Sequence, residues 1–356
     1  TKSSAASDVY KRQLVILVAD DPFMFSSQNE QDNRYYGKLS GLSILEPSSV
    51  EEAKEMVPYA FDLSEQLQEP VILRTTTRIN HSSGIVELKE IRPRVTKGAF
   101  KKDPMRCVTV PAVSRGLHVK LLENIKKAEE IANTSEYKFT EGQGPWGIVC
   151  NGVSYNYVTD AVKDLAIQDK ARVLRIGFSH PMPTGLVKQF IKGCEKILVV
   201  EEGEPYMEEM LKVFAQEEKL DLPIQGKSDD LFSRLYEFNP ALVRQHVASF
   251  FGVPYEAPSA TDLTDVPEIP QRPPNLCAGC PHRATYYAVK QVYGADTIYP
   301  TDIGCYTLGL LPPTSMADFV ICMGSSVSSS CGFSRATDQK VVSFIGDSTF
   351  FHSGIT

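Results

Sequence analysis

The sequence predicts an α/β protein built from three doubly wound parallel-sheet units. Three observations carry that expectation. Short apolar runs closed by turn residues, such as Leu14–Ala19 before Asp20-Asp21-Pro22, have the composition of strands buried on both faces. These runs alternate with stretches of helical spacing, the order that a parallel sheet requires. A chain of 356 residues also exceeds what one hydrophobic core usually holds, which favours two or three domains.

The elements follow in order. Thr1–Gln13 is polar and patternless and reads as a non-native or disordered head (1–13). Within the first unit (14–95), Ser48–Gln68 offers a Ser N-cap, early acids and apolar residues at helical spacing, with a kink expected at Pro58. Pro70–Arg74 returns as a strand. Residues 96–144 are basic and mixed, and are expected to form a connecting arm with an amphipathic helix over Leu117–Ala132. A second unit (145–255) starts at Trp146 with "GIVCNG", continues through "RVLRIG" and "KILVVEE", and intersperses helices. A Pro-rich linker (256–275) precedes a third unit (276–356). The chain stops at Thr356 in what reads as a helix start, so a fragment is expected.

Bulk properties exclude several function classes. A formal net charge of −7 argues against a nucleic-acid partner. No apolar run approaches the roughly 18 residues of a spanning helix, so no membrane role is expected. Eight cysteines in a chain of this length do not form a disulfide framework and suggest a reducing, cytoplasmic setting. Cys107, Cys150 and Cys194 are expected to be buried, inert thiols. His81, His118, His180 and His246 read as ordinary surface or packing residues. The acidic run Glu201–Glu209 reads as a solvated helix face or a subunit contact.

Chemistry concentrates in the third unit. In "KVVSFIGDSTFF" the apolar Val341–Ile345 leads to Gly346 and Asp347, a placement at which open α/β sheets bind ligands. Asp347 would give one oxygen to a Mg²⁺ shared with phosphate. A plain strand-to-helix turn capped by Asp347 is an equal reading. "TDIGCYTLG" and "CMGSSVSSSCG" are further small-residue turns beside apolar strands, and together the three would suit a diphosphate. Cys277 and Cys280 form C-x-x-C, with Cys305 following in a "GC" turn. By spacing, an iron–sulfur cluster short of one ligand and no metal role are comparable readings, ahead of zinc or a redox dithiol. In the first unit, Ser27, Gln28, Asn29, Asp32 and Arg34 form a dense polar loop after a buried strand. Gln28, Asn29 and Arg78 are candidate substrate contacts, Arg78 through a bidentate grip on a carboxylate. Loop solvation and a surface salt bridge explain any one of them as well.

"LCAGCPHRATYYAVK", "DIGCYTLG", "CMGSS" and "IGDSTFFHSGIT" together resemble the thiamine-diphosphate domain of the 2-oxoacid:ferredoxin oxidoreductase family, nearest its large (alpha) subunits. "VADDPFMFSSQNEQDNRYYG" and "PVILRTTTRINHS" look like the family's pyrimidine-binding domain. "ILVVEEGEPYMEEML" looks like its transketolase C-terminal-like domain. The resemblance runs from about Leu14 to Thr356. It implies two thiamine-binding-type domains, both truncated here, flanking the transketolase C-terminal-like domain. It also implies ferredoxin-dependent oxidative decarboxylation of arylpyruvates of the indolepyruvate type, with coenzyme A, to aryl-acetyl-CoA and CO₂. The implied partners are a smaller beta subunit and ferredoxin, within a hetero-oligomer. Carried over residue by residue, a [4Fe–4S] cluster falls on Cys277, Cys280 and Cys305, and magnesium on Asp347. The diphosphate falls on Ile303, Gly304, Cys305, Tyr306, Met323, Gly324, Gly346, Ser348 and Thr349. "GDS" departs from the commoner "GDG" of thiamine enzymes. The family's catalytic Glu lies upstream of the first apolar strand, so no catalytic residue is assigned and Glu30 is not promoted to that role. The fragment alone is expected to be inactive. A thiamine-dependent non-oxidative lyase, or a metal-binding scaffold of the same fold, are the alternatives.

Overall fold

A computed structural model describes residues 4–8, 13–90, 102–257, 267, 270 and 272–355. The chain divides into two compact units, Thr1–Ser259 and Ala260–Thr356. Apart from Ser4–Asp8, the residues before Gln13 lie outside the described residues, as does most of the Pro-rich linker.

The first unit opens with β1 (Ser4–Asp8), β2 (Gln13–Asp20), α1 (Arg34–Ser40), β3 (Ser43–Leu45), α2 (Val50–Leu67) and β4 (Val71–Thr76). β1 falls in the head expected to lie outside the fold, and it pairs antiparallel with β2. α2 begins where the sequence says it should. Ser49 accepts the Glu52 N–H at 3.1 Å, and the Glu52 carboxylate takes the Ser48 N–H at 2.6 Å. Met56, Ala60, Leu63 and Leu67 then fall on one face and are buried. The helix runs from Val50 to Leu67 with Pro58, where a kink is expected, inside it.

The stretch read as a connecting arm carries α3 (Pro111–Thr134). Its Ala128 and Ala132 join the core formed by β2, β3, β4 and α2, so this helix covers the first sheet. Next come β5 (Lys138–Glu141), β6 (Trp146–Asn151), α4 (Ser154–Asp164), β7 (Ala171–Ile176) and β8 (Phe178–His180). α5 (Thr184–Lys192), β9 (Lys196–Val200), α6 (Tyr206–Glu217), β10 (Ile224–Gln225) and α7 (Pro240–Phe251) complete the unit.

These strands make two sheets, ordered β1-β2-β4-β3-β8 and β10-β9-β6-β7-β5. Central pairs are parallel and the edges β1, β8 and β5 antiparallel. The second sheet is wound on both faces. One face carries α4 and α7 over Ile148, Val173 and Leu198. The other carries α5 and α6 over Val149, Leu174 and Val199. Strand order reverses between β6 and β9, and β8 crosses to the edge of the first sheet beside β3.

The second unit holds α8 (Pro281–Tyr293) and α9 (Ser325–Ala336), with a core of Leu276, Tyr286, Tyr299, Met316 and Phe344 to which α8 gives Tyr286. The expected strand at Val341–Ile345 forms no ladder. Ile298 bridges Val341 and Pro300 bridges Phe319, both parallel, so the strand direction is as expected but the pairing is limited to single bridges. No helix among the described residues is long and apolar enough to cross a membrane.

Candidate functional site

In the second unit the three small-residue turns meet at one side chain. Asp302 is 1% exposed. One carboxylate oxygen accepts the Gly324 N–H at 2.8 Å and the other the Gly346 N–H at 3.2 Å. Its carbonyl accepts the Thr307 hydroxyl at 2.7 Å, and that hydroxyl oxygen accepts the Gly304 N–H at 3.3 Å. Gly304 (φ 145°) and Gly324 (φ 87°) stand in the region that side chains disfavour, so both turns depend on glycine. A Cβ at Gly304 would meet nothing within 4 Å, which leaves that turn open outward.

The expected phosphate-gripping residues line these turns. Ile303 and Tyr306 are half-buried, Cys305 and Ser348 exposed, Met323 exposed and Thr349 buried. Asp347 opens the short helix after Gly346, and its exposed carboxylate makes no hydrogen bond among the described residues. The carboxylate is therefore free to ligate a cation. Behind the first turn, Tyr306 stacks on Phe344 with centroids 5.4 Å apart, and its carbonyl accepts the Tyr286 hydroxyl. Gly309 packs under that tyrosine so closely that a Cβ would overlap the ring. Gly309→Ala is expected to lower stability by about 1–3 kcal/mol. A thermal melt unchanged from wild type would contradict this packing account.

Cys280 occupies the N-cap of α8, with Sγ 3.4 Å from His282 Nδ1. The His282 ring lies 4.2 Å from that of Tyr306, so the C-x-x-C turn neighbours the residue after Cys305. Cys277 and Cys305 are exposed. The donor chemistry suits thiolate ligation, but the side chains are not gathered. Among the described residues, no group of three or more His, Cys, Asp or Glu is arranged to hold a metal ion.

The first unit corrects several expectations. Gln28 and Asn29 are exposed, and Asn29 donates to the Glu30 carbonyl at 2.8 Å. Arg78, a candidate substrate contact, gives its fork to Glu237, the salt bridge that is the other reading of it. Asp32 and Arg34 turn inward. Arg34 is fully buried against Asp32, Glu201 and the carbonyls of Glu202 and Glu204. Arg74 pairs with Asp20 at 2.6 Å and Glu46 at 2.7 Å. Glu46 also accepts from Asn151 at 3.0 Å and from Ser179. Burial alone would raise the Asp32 carboxyl, but Arg34 and Arg74 hold it far below the usual range.

Glu201, Glu202 and Glu208, read from sequence as solvated, are buried. Glu201 closes the N-terminus of α6 by accepting the Met207 and Glu208 N–H groups. Burial pushes the Glu202 carboxyl up to about 7. Of the cysteines expected inside, Cys150 is buried and Cys194 half-buried, their thiols pushed up to about 12 and about 11 by burial, but Cys107 is exposed.

Sequence reasoning missed Asp302 and this network. Asp302 had a signal, an acid directly before a glycine turn. The network had none, because its partners lie far apart in the chain.

Residues 302–356 match the C-terminal TPP-binding domain of thiamine pyrophosphate enzymes, so the three-turn region belongs to a domain of that class. Over 96% of its length the chain is 48% identical to the indolepyruvate oxidoreductase subunit IorA of Methanothermobacter thermautotrophicus, and covers 56% of that protein. The Thermococcus kodakarensis subunit of the same name is 42% identical over the same shares of the two chains, and the Archaeoglobus fulgidus one 40%, with 55% of it covered. The chain is thus a relative of indolepyruvate oxidoreductase subunit IorA, and it spans a little over half the length of the curated relatives it matches.

Proposed function

We propose that this chain is part of an oxidoreductase that decarboxylates arylpyruvates of the indolepyruvate type, with coenzyme A as acyl acceptor and ferredoxin as electron acceptor. The observation that carries the reading is 40–48% identity to IorA subunits over 96% of the chain. The thiamine-domain match supports it, because that match begins at Asp302, where the turns converge.

Thiamine diphosphate, when bound, would supply an electron sink for decarboxylation, and an iron–sulfur cluster would supply a one-electron acceptor. Ile303–Tyr306, Met323-Gly324, Gly346 and Ser348-Thr349 would surround the diphosphate through backbone amides and hydroxyls. Asp347 would supply one oxygen to magnesium, for which its free carboxylate is suited. Cys277, Cys280 and Cys305 would supply thiolates to a [4Fe–4S] cluster, with some rearrangement to gather them. Gln28 and Asn29 remain candidate substrate contacts on the first unit. A smaller second subunit would complete a hetero-oligomer.

The second reading is a thiamine-dependent lyase without electron transfer. The deciding experiment is anaerobic expression of the full-length gene, followed by iron and sulfide analysis and absorption spectroscopy, with and without Cys277→Ala. Iron, sulfide and broad absorption near roughly 400 nm, lost in the variant, are expected for thiolate-held clusters. Unaltered cluster content in the variant would remove the cluster from this motif. Absence of iron in the wild type would leave the lyase.

A further inference from the structure

We propose that Asp302 is a positioning residue for the cofactor: its carboxylate fixes the geometry of the diphosphate cradle without touching the ligand. The inference rests on the reading that these turns hold thiamine diphosphate. A carboxylate that is 1% exposed is costly unless donors surround it, and those it has are main-chain amides of the cradle itself. Gly324 immediately precedes α9, and Gly346 immediately precedes Asp347. They lie 22 and 44 residues from Asp302, yet each donates to a different oxygen of the same side chain. Through the Thr307 hydroxyl the same residue also holds the Gly304 turn. The buried anion therefore sets two peptide planes, and the main-chain carbonyl of the same residue a third, and with them the direction in which the neighbouring amides and the Asp347 carboxylate face outward. Both carboxylate oxygens accept cradle amides and are buried, which leaves the exposed Asp347 as the carboxylate facing outward.

Asparagine keeps the shape of the side chain but has only one oxygen, and its amide nitrogen cannot accept. Asp302→Asn should leave the Gly324 or the Gly346 N–H without an acceptor, loosening one turn against the others. The test titrates the full-length chain with thiamine diphosphate and magnesium by calorimetry, well below the melting temperatures of both proteins. The magnesium concentration giving half-maximal thiamine diphosphate binding is read in parallel. We expect the dissociation constant to rise about 10- to 100-fold with native circular dichroism, and the half-maximal magnesium concentration to rise with it. A lowered melting temperature with binding within about twofold of wild type would reduce Asp302 to ordinary fold stability and overturn the proposal. A wild type that binds no thiamine diphosphate would overturn the underlying cofactor reading instead, and this proposal with it. If Asp302→Asn does not fold, Asp302→Glu carries the same titration. That variant keeps two acceptor oxygens but displaces them by one methylene from the Gly324 and Gly346 amides, so a several-fold loss of affinity is expected and an unchanged affinity would count against the proposal.

Discussion

Arg34→Ala is expected to destabilise the first unit by about 3–5 kcal/mol, the range for removing one partner of a buried ion pair. The size follows from what the guanidinium leaves behind. Asp32 and Glu201 would stay buried without their cation, and the carbonyls of Glu202 and Glu204 would lose their donor. Water cannot easily replace it, because Arg34 is fully buried and Glu201 is 1% exposed. In a domain of this size such a loss corresponds to a fall of about 10 °C in melting temperature. Thermal unfolding of the purified variant is the measurement. A fall of only one or two degrees would mean that the network relaxes or hydrates, and that the attraction between the charges is not what holds this region. Arg34→Lys should recover only part of the loss, since an ammonium cannot reproduce a planar fork reaching two carboxylates and two carbonyls.

The second large effect depends on pH. Glu202 is 5% exposed, accepts the Phe238 N–H at 2.8 Å, and has its carboxyl raised from 4.5 to about 7 by burial. A raised carboxyl means that the folded protein prefers the neutral form. The stability this gives is fully present below the ordinary value and is lost as the pH climbs toward 7. At higher pH the buried anion costs about 3 kcal/mol, since each tenfold change in proton affinity is worth about 1.4 kcal/mol. Lys227, pushed down to about 8 by its own burial, gives limited relief. Glu202→Gln keeps an oxygen for the Phe238 amide and never ionises. It should therefore melt well above wild type at about pH 8 and close to wild type at about pH 5. A difference that does not change with pH would show that ionisation of Glu202 is not the cause.

The parts of the fold that the sequence exposes are those in which one segment carries its own signal. β6 and β9 are buried on both faces and so read as unbroken apolar runs; β2 reads the same way, yet its expected double burial fails, since Leu17 is exposed. α2 announces itself with Ser49 and Glu52. The glycine turns at 304, 324 and 346 are legible for the same reason, since their residues are local requirements. Contacts between distant segments are not legible. The Arg34–Glu201 pair spans 167 residues, and nothing near either residue names the other. Polar loops and acidic runs look solvated when read alone, which is why Asp32, Arg34, Glu201 and Glu202 read as exposed. Arg78 reads as a ligand contact because the sequence cannot show Glu237 opposite it. The cysteine spacing is plain, but spacing does not gather side chains, and these three remain apart.

One connection bears on how this architecture can be divided. β8 directly follows β7 of the second sheet, yet it extends the first sheet by pairing with β3. Glu46, just beyond β3, reaches back to Asn151 at the end of β6 and to Ser179 in β8. A cut between the two sheets near residue 145 would strip the first of an edge strand and leave Glu46 with Arg74 but without its Asn151 and Ser179 donors. The sheets are consequently a single module of inheritance: neither can be exchanged, duplicated or lost by recombination at that point without damaging the other.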